Sequence, residues 1–178
     1  MIELKKDKAS LRKELKLITL RTPESLLQNA QVIIKGYNAG SVGLYVPIEA
    51  EPDLLPLIAM NPAIKFCLPR IINDELVYVS YTIGDKLLQN PSFPKIAEPV
   101  SQEVVRPEMI FVPQGSAFDL KGYRLGRGGG HYDKYLAKYP QIKAIGVSFA
   151  QNIQERLPRE EHDRRMHYIV TEHMVLQT

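Results

Sequence analysis

The sequence predicts an α/β protein with a mainly parallel sheet flanked by helices on both faces, a three-layer α/β/α arrangement. Two observations carry this prediction. Segments with helical periodicity alternate along the chain with short apolar runs. One of these runs, VGLYVPI, is bounded by Gly40 and Pro47, as expected of a buried strand. The length of 178 residues suits one domain, so we expect a single domain spanning residues 1–178.

Each element has its own local signal. A helix is predicted over 5–20, where Leu4, Leu11, Leu15 and Ile18 form one apolar stripe. A second helix covers 24–36, entered through Thr22-Pro23 and ended by Gly36. The strand candidates are 42–48, 65–71, 76–81, 109–113, 143–149 and 167–172, and further helices are expected at 53–60 and from about residue 131 to the residue before Pro140. The segment 84–108 carries four prolines and is expected to be mostly loop with one short helical turn.

Composition excludes several classes of protein. The formal net charge is only +3, which does not by itself indicate a nucleic-acid binder. The single cysteine, Cys67, excludes an internal disulfide framework and a cysteine-rich zinc site. The amino-terminal segment is charged from its third residue, and no apolar run reaches the length of a membrane span. We therefore expect a cytoplasmic protein. We also expect it to be monomeric or weakly associating.

The segment GYRLGRGGGHYDKYL, residues 122–136, is the most unusual part of the chain. It places five glycines within nine residues, directly before a predicted helix. Glycines allow backbone N–H groups to converge on one point, and a helix amino terminus adds partial positive charge. Arg124 and Arg127 add guanidinium groups suited to phosphate. The segment therefore predicts an anion cradle for a polyphosphate, and the alternative is a flexible turn with solvated arginines.

Two common phosphate motifs are not met. The pattern GxxxxGK[ST] is absent from the chain, and the third glycine of GxGxxG would fall on His131. Neither a Walker-type nucleotidase nor a Rossmann dehydrogenase is supported.

Asp133 lies in the first turn of the predicted helix, beside the cradle. An acidic residue there interacts favourably with the helix dipole, which would be a sufficient structural role. A carboxylate next to bound phosphates would repel them unless a cation lay between, and Mg²⁺ commonly bridges the two. Asp133 is thus a candidate metal ligand.

Lys8 and Arg12 form a second unusual pair. Lys8 falls on the apolar stripe of the first predicted helix, and Arg12 follows four residues later, so two like charges are neighbours. One interpretation is that the aliphatic stem of Lys8 covers apolar surface while its ammonium reaches solvent. The other is that both charges face an anion bound by the folded domain.

RLGRGGGHYDKYL resembles the signature of the 5-formyltetrahydrofolate cyclo-ligase family, which reads roughly R-L-G-x-G-[KG]-G-[YF]-Y-D-[RK]-x-L. Further segments are similar to that family in the same order along the chain. They are KASLR near the amino terminus, YVPIEAEPD, FCLPRI, FVPQGSAFD and EEHDRRMHYIVTE. The resemblance implies a three-layer α/β fold and an ATP-dependent, Mg²⁺-requiring cyclisation of 5-formyltetrahydrofolate to 5,10-methenyltetrahydrofolate, with release of ADP and phosphate.

The resemblance also assigns roles to residues, with no protein nucleophile required. It implies that Asp133 and Asp163 carry Mg²⁺. For Asp163 alone, a solvated loop acid would be the simpler interpretation, and for Glu51 a solvated acid at the end of a strand. The implied ATP-binding residues are Lys8, Arg12, Arg124, Leu125, Gly126, Arg127, Gly128, Gly129, Gly130, His131 and Tyr132. The implied substrate-binding residues are Val46, Glu51, Arg127, Gly128, Gly129, Gly130 and His131.

Two positions depart from the family pattern, His131 and His167, and glycine at position 129 is a common variant of it. His131 stands where an aromatic Tyr or Phe is usual; its planar ring can stack, and histidine can also ionise near neutral pH. His167 stands where many members have an acid, and Gly129 where some have lysine. The alternative function is a non-catalytic nucleotide- or phosphate-binding protein on the same fold, and Glu51 together with Asp133 argues against it. A nucleic-acid binder is disfavoured because no basic stripe with stacking aromatics accompanies the basic loop.

Overall fold

The computed structural model describes residues 7–15 and 21–178. Its helices are α1 (Lys8–Glu14), α2 (Glu24–Tyr37), α3 (Pro56–Met60) and α4 (His131–Lys138). The strands are β1 (Ser41–Gly43), β2 (Lys65–Ile72), β3 (Glu75–Ser80), β4 (Leu87–Gln89), β5 (Ala97–Pro99), β6 (Val104–Val105), β7 (Met109–Pro113), β8 (Ala117–Asp119), β9 (Arg124–Leu125), β10 (Lys143–Val147), β11 (Ile153–Gln154), β12 (Tyr168–Val170) and β13 (Val175–Gln177). Within these ranges, no helix has the length and apolar character needed to cross a bilayer.

An eight-stranded sheet forms the centre of the molecule, in the order β13-β12-β10-β7-β1-β2-β3-β6. The five strands from β12 to β2 are parallel to one another. The strands β13, β3 and β6 pair antiparallel and extend the sheet at its two sides. The prediction of a mainly parallel sheet is confirmed, and its antiparallel margins are the part that the apolar runs did not indicate.

Side chains alternate between the two faces of the sheet and divide the core into two layers. In β7, Met109 and Phe111 join the cluster that contains the buried residues of α2 and α3. Ile110 and Val112 join the opposite cluster, which contains Tyr135 and Leu136 of α4. Helices therefore cover both faces, as predicted.

A smaller three-stranded sheet, β11-β8-β9, lies beside the main one and carries the start of the glycine loop. Its residues Ala117 and Leu125 are fully buried and form a third apolar cluster with Leu157. Leu11 and Leu15 of the first helical segment pack against this cluster. The predicted apolar stripe is confirmed for these two leucines, whereas Leu4 and Ile18 lie outside the described residues.

Several predicted boundaries were wrong. The first strand ends at Gly43 instead of continuing to residue 48, and α2 continues past Gly36 to Tyr37. Asn38 then caps α2 in the left-handed conformation, with φ at 48°, which asparagine tolerates better than most residues. The segment 84–108 contains the β4–β5 hairpin and β6 instead of a helical turn. Its prolines Pro91 and Pro94 lie in the hairpin turn, where no ladder hydrogen bond is needed.

Candidate active site

A cavity of about 500 Å³ opens at the carboxyl ends of β1 and β7, where ligands collect in parallel sheets. One wall is the segment after β1, another is the tip of the β4–β5 hairpin, and a third is the glycine loop with the start of α4. The lining residues are Tyr45, Val46, Ile48, Glu51, Pro69, Ile71, Leu76, Ser92, Phe93, Pro94, Lys95, Ile96, Ala97, Glu98, Pro113, Arg124, Arg127, Gly129, Gly130, His131 and Tyr132. Most of them are apolar, so the few charged groups among them define the polarity of the cavity.

Glu51 is one of two buried carboxylates that line this cavity, the other being Glu98, and only 6% of the surface of each is exposed. Oε2 of Glu51 accepts a hydrogen bond of 3.0 Å from the backbone N–H of Ile48, and its Oε1 lies 3.4 Å from Nη2 of Arg127. Burial raises the pKa of Glu51, and these two contacts only partly offset it. The interpretation of Glu51 as a solvated strand-end acid is therefore wrong.

Arg124 is held rigidly beside Glu51. Its Nε donates a hydrogen bond of 2.6 Å to the carbonyl oxygen of Pro113, and its guanidinium lies 5.0 Å from the centre of the Tyr132 ring. Burial lowers the pKa of the guanidinium. A Cβ on Gly126 would approach Nη1 of Arg124 to 2.6 Å, so this glycine leaves the space that the guanidinium fills. Arg124 is thus a fixed cation and not a solvated loop residue.

The glycine loop adopts conformations that glycine makes accessible. Gly128 and Gly130 have φ values of 108° and 65°, and Gly130 caps the amino terminus of α4. Leu125, at the start of the loop, is fully buried, and its carbonyl oxygen accepts a hydrogen bond from Ser116. Its side chain anchors the loop to the third apolar cluster, so any contribution of Leu125 to nucleotide binding is indirect.

His131 lies at the cavity wall between an aromatic ring and a carboxylate. Its ring centre is 5.7 Å from that of Phe93 in an edge-on arrangement, and its Nε2 is 3.2 Å from Oδ1 of Asp74. The sequence analysis did not anticipate this contact with Asp74. The available signal was the Asn73-Asp74 pair between two strand patterns, which forms the β2–β3 turn with φ values of 49° and 63°.

Lys8 and Arg12 do not line the cavity; they connect α1 to the two loops beside it. The Lys8 ammonium lies 2.6 Å from Oε2 of Glu160 and 2.6 Å from Oδ1 of Asp163. Arg12 donates from Nε to the carbonyl oxygen of Gly126 at 2.6 Å. The Lys8 side chain is only 13% exposed, so its ammonium is held by carboxylates and does not extend into solvent. Glu160 was missed because it lies 152 residues away in sequence.

Asp133 and Asp163, the predicted metal ligands, belong to neighbouring parts of the structure. Oδ1 of Asp133 accepts a hydrogen bond of 2.9 Å from the backbone N–H of Arg164, the residue after Asp163. Glu160, His162 and Asp163 also present ligand atoms within 4.8 Å of one another. Carboxylate oxygens are the ligands that Mg²⁺ prefers, and the Lys8 ammonium already occupies a cation position against two of these acids. The residues present therefore fit a divalent cation, provided that Lys8 moves.

Asp119 is a fully buried carboxylate that the sequence analysis did not identify. Its Oδ1 accepts hydrogen bonds from the backbone N–H groups of Lys121 and Tyr123, just before Arg124. Its Oδ2 accepts from the N–H of Leu157 at 3.1 Å and lies 3.3 Å from Nη2 of Arg159. One carboxylate thus fixes both the entry to the glycine loop and the segment leading to Asp163. An Asp before the Leu-Lys-Gly turn was the signal in the sequence.

His167, which departs from the family pattern, has a structural contact. Its Nδ1 accepts a hydrogen bond of 3.1 Å from the backbone N–H of Ala144 in β10. Burial lowers the pKa of His167, and the nearby Lys143 adds to this effect. The neutral ring therefore supports the junction of β10 and β12.

The family described as the 5-formyltetrahydrofolate cyclo-ligase family matches residues 2–172. The chain belongs to this family. Membership makes it a ligase of folate metabolism, and the resemblance proposed from the glycine segment is confirmed.

Individual cyclo-ligases and their structures agree with this assignment. The 5-formyltetrahydrofolate cyclo-ligase of Escherichia coli (strain K12) is 30% identical over 145 residues, which are 75% of this chain and 78% of that protein. In the Mus musculus cyclo-ligase the match is 36% identical but confined to 70 residues, 34% of that protein. The NMR structure of Aquifex aeolicus 5,10-methenyltetrahydrofolate synthetase superposes with a TM-score of 0.80 at 34% identity, covering 96% of this chain and 92% of that one. A synthetase structure from Mycoplasma pneumoniae, at 20% identity and a TM-score of 0.71 with 94% and 99% of the two chains covered, supports the fold.

Proposed function

We propose that this chain converts 5-formyltetrahydrofolate and MgATP to 5,10-methenyltetrahydrofolate, ADP and phosphate, with the folate in the 500 Å³ cavity. The observation that carries the proposal is Glu51, a buried carboxylate in a largely apolar cavity beside the glycine loop. A site that only bound phosphate would have no use for a buried negative charge there.

Glu51 is suited to the pterin end of the substrate. Adjacent N–H donors of a pterin ring can donate to both oxygens of one carboxylate. The backbone N–H of Ile48 and the guanidinium of Arg127 hold the Glu51 carboxylate in place. Val46, on the same wall, offers apolar surface to the ring. Binding at this end would direct the formyl group toward the glycine loop.

The reaction requires positioning more than covalent participation by the protein. The formyl oxygen attacks the γ-phosphorus of ATP, and the bond to the β-phosphate oxygen breaks, releasing ADP. N10 then attacks the activated formyl carbon, a C–N bond forms, the N10 proton is lost and phosphate leaves. Arg124 and the backbone N–H groups of the loop would hold the phosphate oxygens in line for this transfer. The helix dipole of α4 adds to the positive potential there.

Lys8 and Arg12 would complete the phosphate site from the side of α1. Arg12 already contacts the loop at the Gly126 carbonyl, and Lys8 lies beside Asp163. Asp133 and Asp163 would hold Mg²⁺, which would neutralise part of the phosphate charge.

We further propose that the enzyme is a monomer formed by a single domain over residues 1–178, and that it acts in the cytoplasm, as the sequence predicts.

The direct test is an assay of the purified chain with 5-formyltetrahydrofolate and MgATP, followed by the absorbance of the methenyl product. ADP should appear in equal amount to that product. A protein that binds ATP and folate but forms neither product would instead be the non-catalytic nucleotide-binding protein of the same fold.

A further inference from the structure

Four charged side chains of alternating sign run from the buried part of the cavity to its mouth. Glu51 is followed by Arg127 at 3.4 Å, Arg127 by Glu49 at 3.0 Å, and Glu49 by Lys95 at 2.5 Å. Exposure of these side chains rises in the same order, from 3% through 36% and 44% to 76%. The proposed function uses the inner two residues and leaves the outer two, Glu49 and Lys95, without a role.

Lys95 reaches this position from a separate element. It lies in the tip of the β4–β5 hairpin, whose turn is fixed by Asn90: its side-chain oxygen accepts hydrogen bonds from the N–H groups of Ser92 and Phe93. The same tip places Phe93 against His131 at the cavity wall. The hairpin thus carries one apolar ring and one ammonium to the cavity mouth.

Glu49 lies between the two cations in an uncommon backbone conformation. Its φ is 55°, in the left-handed region that residues other than glycine seldom adopt. Hydrogen bonds from Lys95 and Arg127 lower the pKa of Glu49 to about 2, so it is an anion at any working pH. The Glu49 carboxylate therefore already lies between the cations Lys95 and Arg127. Because its ion pairs with them are exposed to solvent, replacing it by another anion costs little free energy.

We propose that Lys95, together with Arg127, binds a carboxylate of the glutamate end of the folate substrate, and that Glu49 holds these two cations in place until the substrate carboxylate replaces it. This inference rests on the proposed function, because it takes the pterin end to lie at Glu51. The apolar walls between Glu51 and the mouth then face the middle of the folate. Additional glutamate residues would extend from the mouth past the exposed ammonium of Lys95.

The test measures binding of 5-formyltetrahydrofolate by calorimetry in the absence of ATP, so that no turnover occurs. Lys95→Met should raise Kd about threefold to fivefold for the monoglutamate, with a larger rise for the triglutamate. Glu49→Gln should lower Kd about twofold to threefold, because the competing anion is removed. The control is Lys138→Met, which breaks an exposed ion pair of 2.7 Å with Glu75 outside this cavity. It should change the Kd of neither the monoglutamate nor the triglutamate.

A pterin without the glutamate end, 5-formyl-6-methyltetrahydropterin, provides the second arm. Its affinity should be the same for the parent chain and Lys95→Met. The proposal is overturned if Lys95→Met leaves folate affinity unchanged, if it weakens the pterin equally, or if Glu49→Gln weakens folate binding. It is also overturned if Lys95→Met weakens ATP binding and spares folate, since the bound anion would then be phosphate. Absence of turnover by the parent chain would refute the proposed function separately.

Discussion

One ammonium covers both oxygens of Asp163: Nζ of Lys8 lies 2.6 Å from Oδ1 and 2.7 Å from Oδ2. Asp163 is almost fully buried, with 6% of its side chain exposed, so this ion pair is well shielded from water. The pair joins the first helix to a loop 155 residues further along the chain. Lys8 therefore has a structural role in addition to its proposed contact with phosphate.

Replacing Lys8 by Met should affect both roles. Asp163 would lose its ion-pair partner and keep only the hydrogen bond from the Glu160 N–H, so we expect the free energy of unfolding to fall by up to about 3 kcal/mol. Affinity for ATP should fall about tenfold, as expected for loss of one phosphate contact. Chemical denaturation and calorimetric titration with ATP measure the two effects. Lys13→Met, an exposed lysine on the same helix, is the control and should change neither. Unchanged ATP affinity in Lys8→Met would reduce Lys8 to the structural role.

The pH dependence of this pair has a definite sign. Burial lowers the pKa of Lys8, but the hydrogen bonds and charges of Asp163 and Glu160 outweigh it, and the net pKa is raised above its ordinary value of 10.5. A raised pKa of a cation stabilises the folded state below pH 10.5, and this contribution is lost as pH rises through the folded-state value. The stability difference between the parent chain and Lys8→Met should therefore be constant from pH 7 to about pH 9 and narrow only above it.

Glu51→Gln should separate the two ligands. The amide keeps the shape of the side chain but replaces one carboxylate oxygen with an NH2 donor, so it cannot accept a hydrogen bond on each of its two head atoms. Kd for 5-formyltetrahydrofolate should therefore rise about tenfold to a hundredfold while Kd for ATP stays the same. Because the pKa of Glu51 is raised by burial, its ionised form destabilises the fold above the ordinary pKa of 4.5. The midpoint of thermal unfolding should thus be unchanged or higher in Glu51→Gln at neutral pH. Equal loss of both ligands would indicate a structural residue.

Folate affinity should also depend on the protonation of Glu51. In the parent chain it should decline on acidification at a higher pH than an exposed glutamate would allow, since the pKa is raised. Glu51→Gln should remove this component of the pH profile. If the pH profiles of folate affinity are the same for the parent chain and Glu51→Gln, a group other than Glu51 causes the decline in affinity at low pH.

Gly126→Ala tests the placement of Arg124. The added methyl group would lie 2.6 Å from Nη1, so the guanidinium must leave its contact with Pro113 or the loop must shift. We expect loss of about 1–3 kcal/mol of stability and weaker binding of ATP. Gly36→Ala is the matched control: a Cβ there meets nothing within 4 Å, and in helix α2 it should stabilise by up to about 1 kcal/mol. Equal stability of the two variants would contradict the close packing described.

Chelation of Mg²⁺ tests Asp133 and Asp163 as a pair. Turnover should cease in excess EDTA and return when Mg²⁺ is restored. Asp133→Asn and Asp163→Asn should each raise the Mg²⁺ concentration needed for half-maximal rate about tenfold or more. Full turnover in EDTA would mean that both acids have structural roles only. Asp133 would then serve to accept the hydrogen bond from the Arg164 N–H, and Asp163 to pair with Lys8.

Cys67 should be inert in the native enzyme. It is 2% exposed, and burial raises the pKa of its thiol to about 12. A thiol reagent should therefore modify it only at the rate of unfolding, and completely in denaturant. Mass spectrometry measures the extent of modification over time. Rapid modification of the native chain would show that β2 opens locally.

The part of the fold that the sequence predicted is the part with local signals. The strands at 109–113 and 143–147 are largely buried, and their mainly apolar sequences predicted them. The second was predicted to extend to residue 149, two residues beyond its observed end. The α4 helix was also predicted, because the apolar residues there recur at the helical spacing i, i+3, i+4, i+7, namely Tyr132, Tyr135, Leu136 and Tyr139. The β4–β5 hairpin was missed because its strands have only three residues each.

The site was predicted less completely because its contacts are long-range. Glu51 and Arg127 were both identified, but their contact spans 76 residues and no local pattern encodes it. Asp74, Glu160 and Lys95 each gained a partner only through folding, since their sequence surroundings are those of ordinary surface loops. Asp119 differs: its position before a glycine-containing turn was a readable signal, although its burial was not.

The two outer strands of the central sheet are short, with three residues in β13 and two in β6. An exposed sheet margin offers unpaired N–H and C=O groups on which a strand of another molecule can assemble. With two or three residues, each outer strand exposes too few unpaired N–H and C=O groups to pair with a strand of another molecule. Pro107, two residues after β6, has no N–H to donate, so it also prevents β6 from being extended as a pairing edge. The architecture therefore protects a long, largely apolar sheet from intermolecular strand addition, which lowers the tendency of the folded chain to form fibrils.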